Sequence, residues 1–68
     1  MEYLKLIKER RTAMGLTQTR LAKLVGVSQP HINDIENGKS KASIDVLFRI
    51  CDVLGIEITF TVKSASSE

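Results

Sequence analysis

Four glycines set the frame of this chain. Gly15, Gly26, Gly38 and Gly55 divide its 68 residues into short stretches, and each glycine follows an apolar or helix-favouring run, in the position of a helix C-cap. None interrupts such a run, so the chain reads as a succession of short helices that must bury their apolar stripes against one another. The first, over residues 3–14, carries Leu4, Ile7, Lys8 and Arg11 at helical spacing. Thr17 is a good N-cap for a second helix over 18–25 with Leu21, Leu24 and Val25 on one face. Ser28 offers the next cap, and Pro30 falls in a first turn, where its missing N–H has no intrahelical partner to lose. This third helix runs to Asn37, with Ile32 and Ile35 as its only apolar positions. Ser43 caps a fourth over 44–54, with Ile44, Leu47, Phe48, Ile50, Cys51 and Leu54 inward.

Beyond Gly55 the apolar period changes to two. Ile56, Ile58, Phe60 and Val62 alternate with Glu57, Thr59, Thr61 and Lys63, which predicts a strand over 56–63. The polar residues 64–68 read as a flexible tail. With 43% hydrophobic residues and three aromatics, the chain has room for one domain, residues 1–63, and a modest core, not for a multi-domain enzyme. No apolar run approaches the about 20 residues that span a bilayer, and no secretory pattern opens the chain, so the expected compartment is the cytoplasm. A single cysteine, Cys51, and a single histidine, His31, leave no internal disulfide and no ligand set for a metal; no cofactor is expected. Oligomerisation is then the remaining way to reinforce so small a core.

The charge is unevenly placed. Residues 1–41 hold eight Lys/Arg against four Asp/Glu, while residues 42–68 hold two against four, so the first half is the better candidate for touching an anion. A solvated basic surface is the alternative from charge alone. The helices over 18–25 and 29–37 are joined by only Gly26, Val27 and the cap Ser28, a connection of the length that sets one helix across another in a helix-turn-helix. Ala22 is small where two helices approach closely, and Gly26 permits the positive φ of the tight turn. Leu21, Val27, Ile32 and Ile35 form an apolar wedge behind a polar helix whose shape and chemistry suit a DNA major groove.

The frame Leu16-Thr17-Gln18, Leu21-Ala22, Gly26-Val27-Ser28-Gln29, Ile32 and Ile35-Glu36-Asn37-Gly38-Lys39 closely resembles DNA-binding domains of the Cro and phage-repressor (XRE-like) type, over residues 3–55. The resemblance implies a mostly α, four- to five-helix repressor-like domain, its helix-turn-helix at 17–37. It implies that Gln18 contacts a phosphate and hydrogen-bonds Gln29, and that Gln29 bonds an adenine edge. Pro30, His31, Asn33 and Asp34 are the other candidates for base contact, with the cap Ser28 beside them. Asn37, Lys39, Ser40 and Lys41 match a phosphate-gripping loop whose backbone amides are expected to assist. Arg20 sits against the dipole of the second helix, either as a phosphate contact or as a tolerated surface residue. Arg11 and Glu36 are implied to be a structural ion pair between the first and third helices, outside the DNA contacts.

Other chemistry is poorly served. His31 and Asp34 lie one helical turn apart with no nucleophile motif beside them. Cys51 falls on an apolar face as a buried small side chain, and Lys39 and Lys41 lack the strand and spaced glycines of a nucleotide-binding loop.

A lone amphipathic strand leaves its backbone groups unpaired. Pairing with its symmetry mate through Ile56, Ile58, Thr59, Phe60 and Val62 resolves this and supplies the homodimer that reads a palindromic operator. A short pairing with residues 1–3, or an extended unpaired segment, is the alternative. The strand after the fourth helix is similar to that of HipB-type antitoxins, which implies an autoregulating repressor with a HipA-type kinase toxin as a possible partner. The resulting expectation is a double-stranded DNA-binding transcriptional repressor, the antitoxin of a toxin-antitoxin module and not an enzyme. A stand-alone dimeric regulator is the alternative, and a protein-interaction module without DNA affinity stands further off, against Gln18 and Gln29.

Overall fold

A computed structural model describes residues 2–63. Four helices follow in order: α1 (Glu2–Ala13), α2 (Gln18–Val25), α3 (Gln29–Glu36) and α4 (Ile44–Leu54). Among the described residues there is no fifth helix and no strand.

Local chemistry explains where the helices start. Thr17, Ser28 and Ser43 have extended backbones, and their hydroxyl oxygens accept the N–H of Arg20, His31 and Val46 at 3.0, 3.3 and 3.3 Å, each occupying one of the donors a helix N-terminus leaves open. The tight turn after α2 needs a left-handed residue. Gly26, at φ +89°, supplies it and donates its N–H to the Ala22 carbonyl at 2.8 Å. Two arginines complete helix C-termini from a distance. Arg49 donates to the Val25 carbonyl at 2.9 Å, and Arg10 to the Leu54 carbonyl at 2.7 Å, each placing a cation at the negative end of a helix.

One core joins all four helices: Ile7 from α1, Leu21, Ala22 and Val25 from α2, Ile32 and Ile35 from α3, and Val46, Ile50 and Leu54 from α4. α2 packs on α3 and α4, and α1 on the same two, so α3 is held from both sides. The expected inward faces need correction in two helices. Leu24 is exposed and Ala22 takes its place inside; in α4, Ile44 and Phe48 are exposed while Val46 is buried. α4 is apolar around much of its circumference, so more than one stripe satisfies helical spacing, and packing against α1 and α2 selects the one through Val46, Ile50 and Leu54. Cys51 is buried, and burial raises its thiol pKa, keeping it protonated and unreactive.

The strand expected over 56–63 is not formed. The Ile56 N–H donates to the Cys51 carbonyl at 2.8 Å, closing the end of α4, and no ladder follows among the described residues. A strand needs a partner for its backbone, and residues 2 and 3 belong to α1, so pairing with the N-terminus is excluded as well. The apolar side chains of the segment divide. Ile56 and Ile58 are half-buried along a groove of about 350 Å³ shared with Leu6, Leu47 and Cys51. Phe60 is 75% exposed although its ring meets Phe48 edge-on at 6.2 Å, and Val62 is 92% exposed. The tail at 64–68 lies outside the described residues. No described helix is long and apolar enough to cross a membrane.

Candidate nucleic-acid interface

α3 is seated by Ile32 and Ile35, both almost completely buried, and by the buried Glu36, which turns the remainder of its surface outward. Gln29, His31, Asn33 and Asp34 are half-buried, and Pro30 and Asn37 are exposed. Ser28 is exposed too, but its hydroxyl oxygen is engaged as the helix cap. Arg20 stands exposed on the first turn of α2, and Lys39 and Lys41 stand exposed in the loop after α3.

A hydrogen-bond network runs beneath this surface. Arg11 donates from Nε to Glu36 Oε2 at 2.6 Å, from Nη2 to Glu36 Oε1 at 3.1 Å and from Nη1 to the Leu16 carbonyl at 2.8 Å. One guanidinium thus ties the end of α1 to the α1–α2 loop and the last turn of α3, in the forked geometry that suits a carboxylate. Glu36 Oε1 also accepts from Gln18 Nε2 at 3.1 Å. Gln18 Nε2 donates in addition to Asn33 Oδ1 at 3.2 Å, and Gln18 Oε1 accepts from Gln29 Nε2 at 2.8 Å. Asn37 Nδ2 donates to Asn33 Oδ1 at 3.2 Å. The structure therefore brings Arg11, Gln18, Gln29, Asn33, Glu36 and Asn37 together, whereas Arg20, Pro30, His31, Lys39 and Lys41 take no side-chain part in the network.

The loop after α3 differs from the sequence expectation in its backbone. The amides of Asn37 and Gly38 donate to the Asn33 and Ile35 carbonyls, and those of Lys39 and Ser40 both reach the Asp34 carbonyl, at 2.8 and 3.2 Å. Four successive amides are spent on ending the helix, so over residues 37–40 the backbone offers no nest of free N–H groups to an anion.

This arrangement of two short helices across a glycine turn matches a known family. The sequence profile of the helix-turn-helix family aligns with residues 7–60. The chain belongs to that family. Relatives of this helix-turn-helix chain include an uncharacterized HTH-type transcriptional regulator of Methanothermobacter thermautotrophicus, 42% identical over 76% of this chain and 75% of the relative. The ImmF control region 10 kDa protein of Bacillus phage phi105 is 38% identical over 78% of this chain and 59% of its own length. The HTH-type transcriptional regulator RamB of Mycobacterium tuberculosis is 32% identical over 79% of this chain and 11% of its own. The chain thus spans about three fifths of the phage protein and about a tenth of RamB.

Within this helix-turn-helix the sequence reading missed two kinds of residue. Arg10 and Arg49 act at helix ends far off in sequence, a role with no local signature. The bonds from Gln18 to Glu36 and Asn33 had one: Gln29, Asn33 and Glu36 are spaced i, i+4, i+7 in α3 and so share one face.

Proposed function

We propose that the chain is a sequence-specific transcriptional repressor that binds double-stranded DNA as a homodimer, with α3 of each copy in the major groove of one operator half-site. The observation that carries this reading is the Gln29–Gln18 hydrogen bond of 2.8 Å. It holds the amide at the N-terminus of α3 while leaving it an acceptor and a donor for a base edge. Gln29 reads an adenine; Pro30, His31, Asn33 and Asp34 line the groove beside it; Ser28, Arg20, Asn37, Lys39, Ser40 and Lys41 face the phosphates, joined by Gln18 through its backbone N–H, because both protons of its side-chain amide go to Glu36 and Asn33. The printed names of the relatives, HTH-type transcriptional regulators and a phage control-region protein, support the same reading. Gln29→Ala is expected to cost about 1 to 3 kcal/mol on the operator and to lose discrimination at one base pair. Lys39→Ala weakens binding to every sequence alike and makes the salt slope shallower by about one unit. Titrations of operator and scrambled duplexes at several salt concentrations separate the two, and selection from random DNA that enriches no site would overturn the proposal.

The dimer of this proposal closes through residues 56–62. Ile56 and Ile58 along the groove, Phe60 against Phe48 and the exposed Val62 form an apolar margin that a second copy covers, and Thr59 lies on the pairing edge. A chain ending at Gly55 is expected to sediment as a monomer and to lose far more affinity for a palindrome, with half-sites about 34 Å apart, than for one half-site. A dimer of undiminished operator affinity would move the interface to the helices. The finer reading, a HipB-type antitoxin with a HipA-type kinase partner, rests on the same C-terminal alternation, and co-expression with such a kinase tests it.

A further inference from the structure

The network under α3 has a polarity, and that polarity is set from outside the recognition surface. Glu36 is paired with Arg11 and its side chain is 1% exposed, so it is a carboxylate with oxygens that only accept. The atom that Gln18 turns toward it, at 3.1 Å, must therefore be the amide nitrogen. That orientation leaves the Gln18 oxygen toward Gln29, which must then present its own nitrogen, at 2.8 Å. The second proton of Gln18 Nε2 goes to Asn33 Oδ1, which accepts from Asn37 Nδ2 as well. Each amide flip follows from the one before it, beginning at the carboxylate.

We propose that Glu36 is a positioning residue for DNA sequence recognition: through Gln18 it sets the amide orientations of Gln29 and Asn33, so that Gln29 presents an acceptor and a donor while Asn33 presents donors alone. The inference rests on the operator reading proposed above. Gln29 keeps Oε1 and one Nε2 proton, the pair that matches N6 and N7 of adenine. Asn33 has its oxygen engaged by two donors and keeps its Nδ2 protons, which match guanine O6 and N7 or thymine O4 and are wrong for the cytosine amino group. The two residues stand four apart on one face of α3, so the bases they meet are close neighbours.

The test is operator selection from random DNA with the full chain, followed by affinity ratios at each base pair. Gln29→Ala and Asn33→Ala identify the two positions by abolishing their preferences. Glu36→Gln allows either polarity of the bond to Gln18, and discrimination should fall about tenfold at those two positions, the scale of one bidentate contact, with the others unchanged. In a Gln29→Ala background Glu36→Gln should change nothing further at the Gln29 position. Gln18→Ala, which leaves the Arg11–Glu36 pair intact, serves as a second variant where Glu36→Gln fails to fold. It should lower discrimination at the same two positions. Uniform weakening with unchanged ratios in these variants would overturn the proposal and leave Glu36 a holder of the fold alone. Selection of no site by the unaltered chain would instead overturn the operator reading beneath it.

Discussion

Arg11→Ala is expected to lower the stability of the domain by about 3 to 5 kcal/mol, because it leaves a buried carboxylate without its counter-charge. The Glu36 side chain is 1% exposed and both of its oxygens accept from Arg11, so water reaches it only if the end of α3 moves. The same substitution releases the Leu16 carbonyl, a second unmet acceptor. A chain of this size is stable by roughly 3 to 10 kcal/mol in all, at about 0.05 to 0.15 kcal/mol per residue, so the variant should be largely unfolded in mild denaturant. Glu36→Ala should cost less, since the Arg11 side chain is already 12% exposed and can turn toward solvent. The double alanine variant should lose less than the sum of the two, with a coupling of about 1 to 3 kcal/mol in urea melts. Strict additivity would show that the pair contributes nothing as a pair.

Ile35→Ala should be comparably severe, at about 2 to 5 kcal/mol. Its side chain is 1% exposed and, with Ile32, seats α3 on the core, so the cavity it leaves lies between α3 and the other helices. A loss of this size lowers Tm by about 10 °C or more in a domain this small. Leu24→Ala is the control. It carries the larger apolar side chain of its turn but is 47% exposed, and its effect should stay near about 0.5 kcal/mol. Melting curves in which Leu24→Ala costs more than Ile35→Ala would show that α2 buries its Leu24 edge.

Much of the architecture was legible because its determinants are local. Thr17, Ser28 and Ser43 act within three residues of themselves, and Gly26 answers a backbone requirement at its own position, so caps and turn could be read one after another. The inward face of α3 was equally plain, with two isoleucines among polar neighbours. α4 was less so. Eight of its eleven residues are apolar, and a helix with that much apolar circumference does not declare which stripe is inside. The strand failed for a different reason. Alternation over 56–62 expresses a preference for a pleated, half-buried surface, but a ladder exists only when a second backbone is present, and the described residues of a single chain offer none.

For the recognition surface the division is similar. Gln18, Gln29 and the loop lysines stand out through the resemblance to repressor-type domains. Spacing also places Gln29, Asn33 and Glu36 on one face. It does not reveal that Gln18 meets Glu36 and Asn33 through a single nitrogen, or that the amides of residues 37–40 turn inward to end the helix. Sequence by itself determined the helices, their caps and the tight turn, since those follow from interactions between residues a few positions apart. Tertiary structure decided which face of α2 and of α4 is buried, which arginine closes which helix end, and how the amides of α3 are oriented, because each depends on an acceptor or an apolar surface brought in by a distant part of the chain.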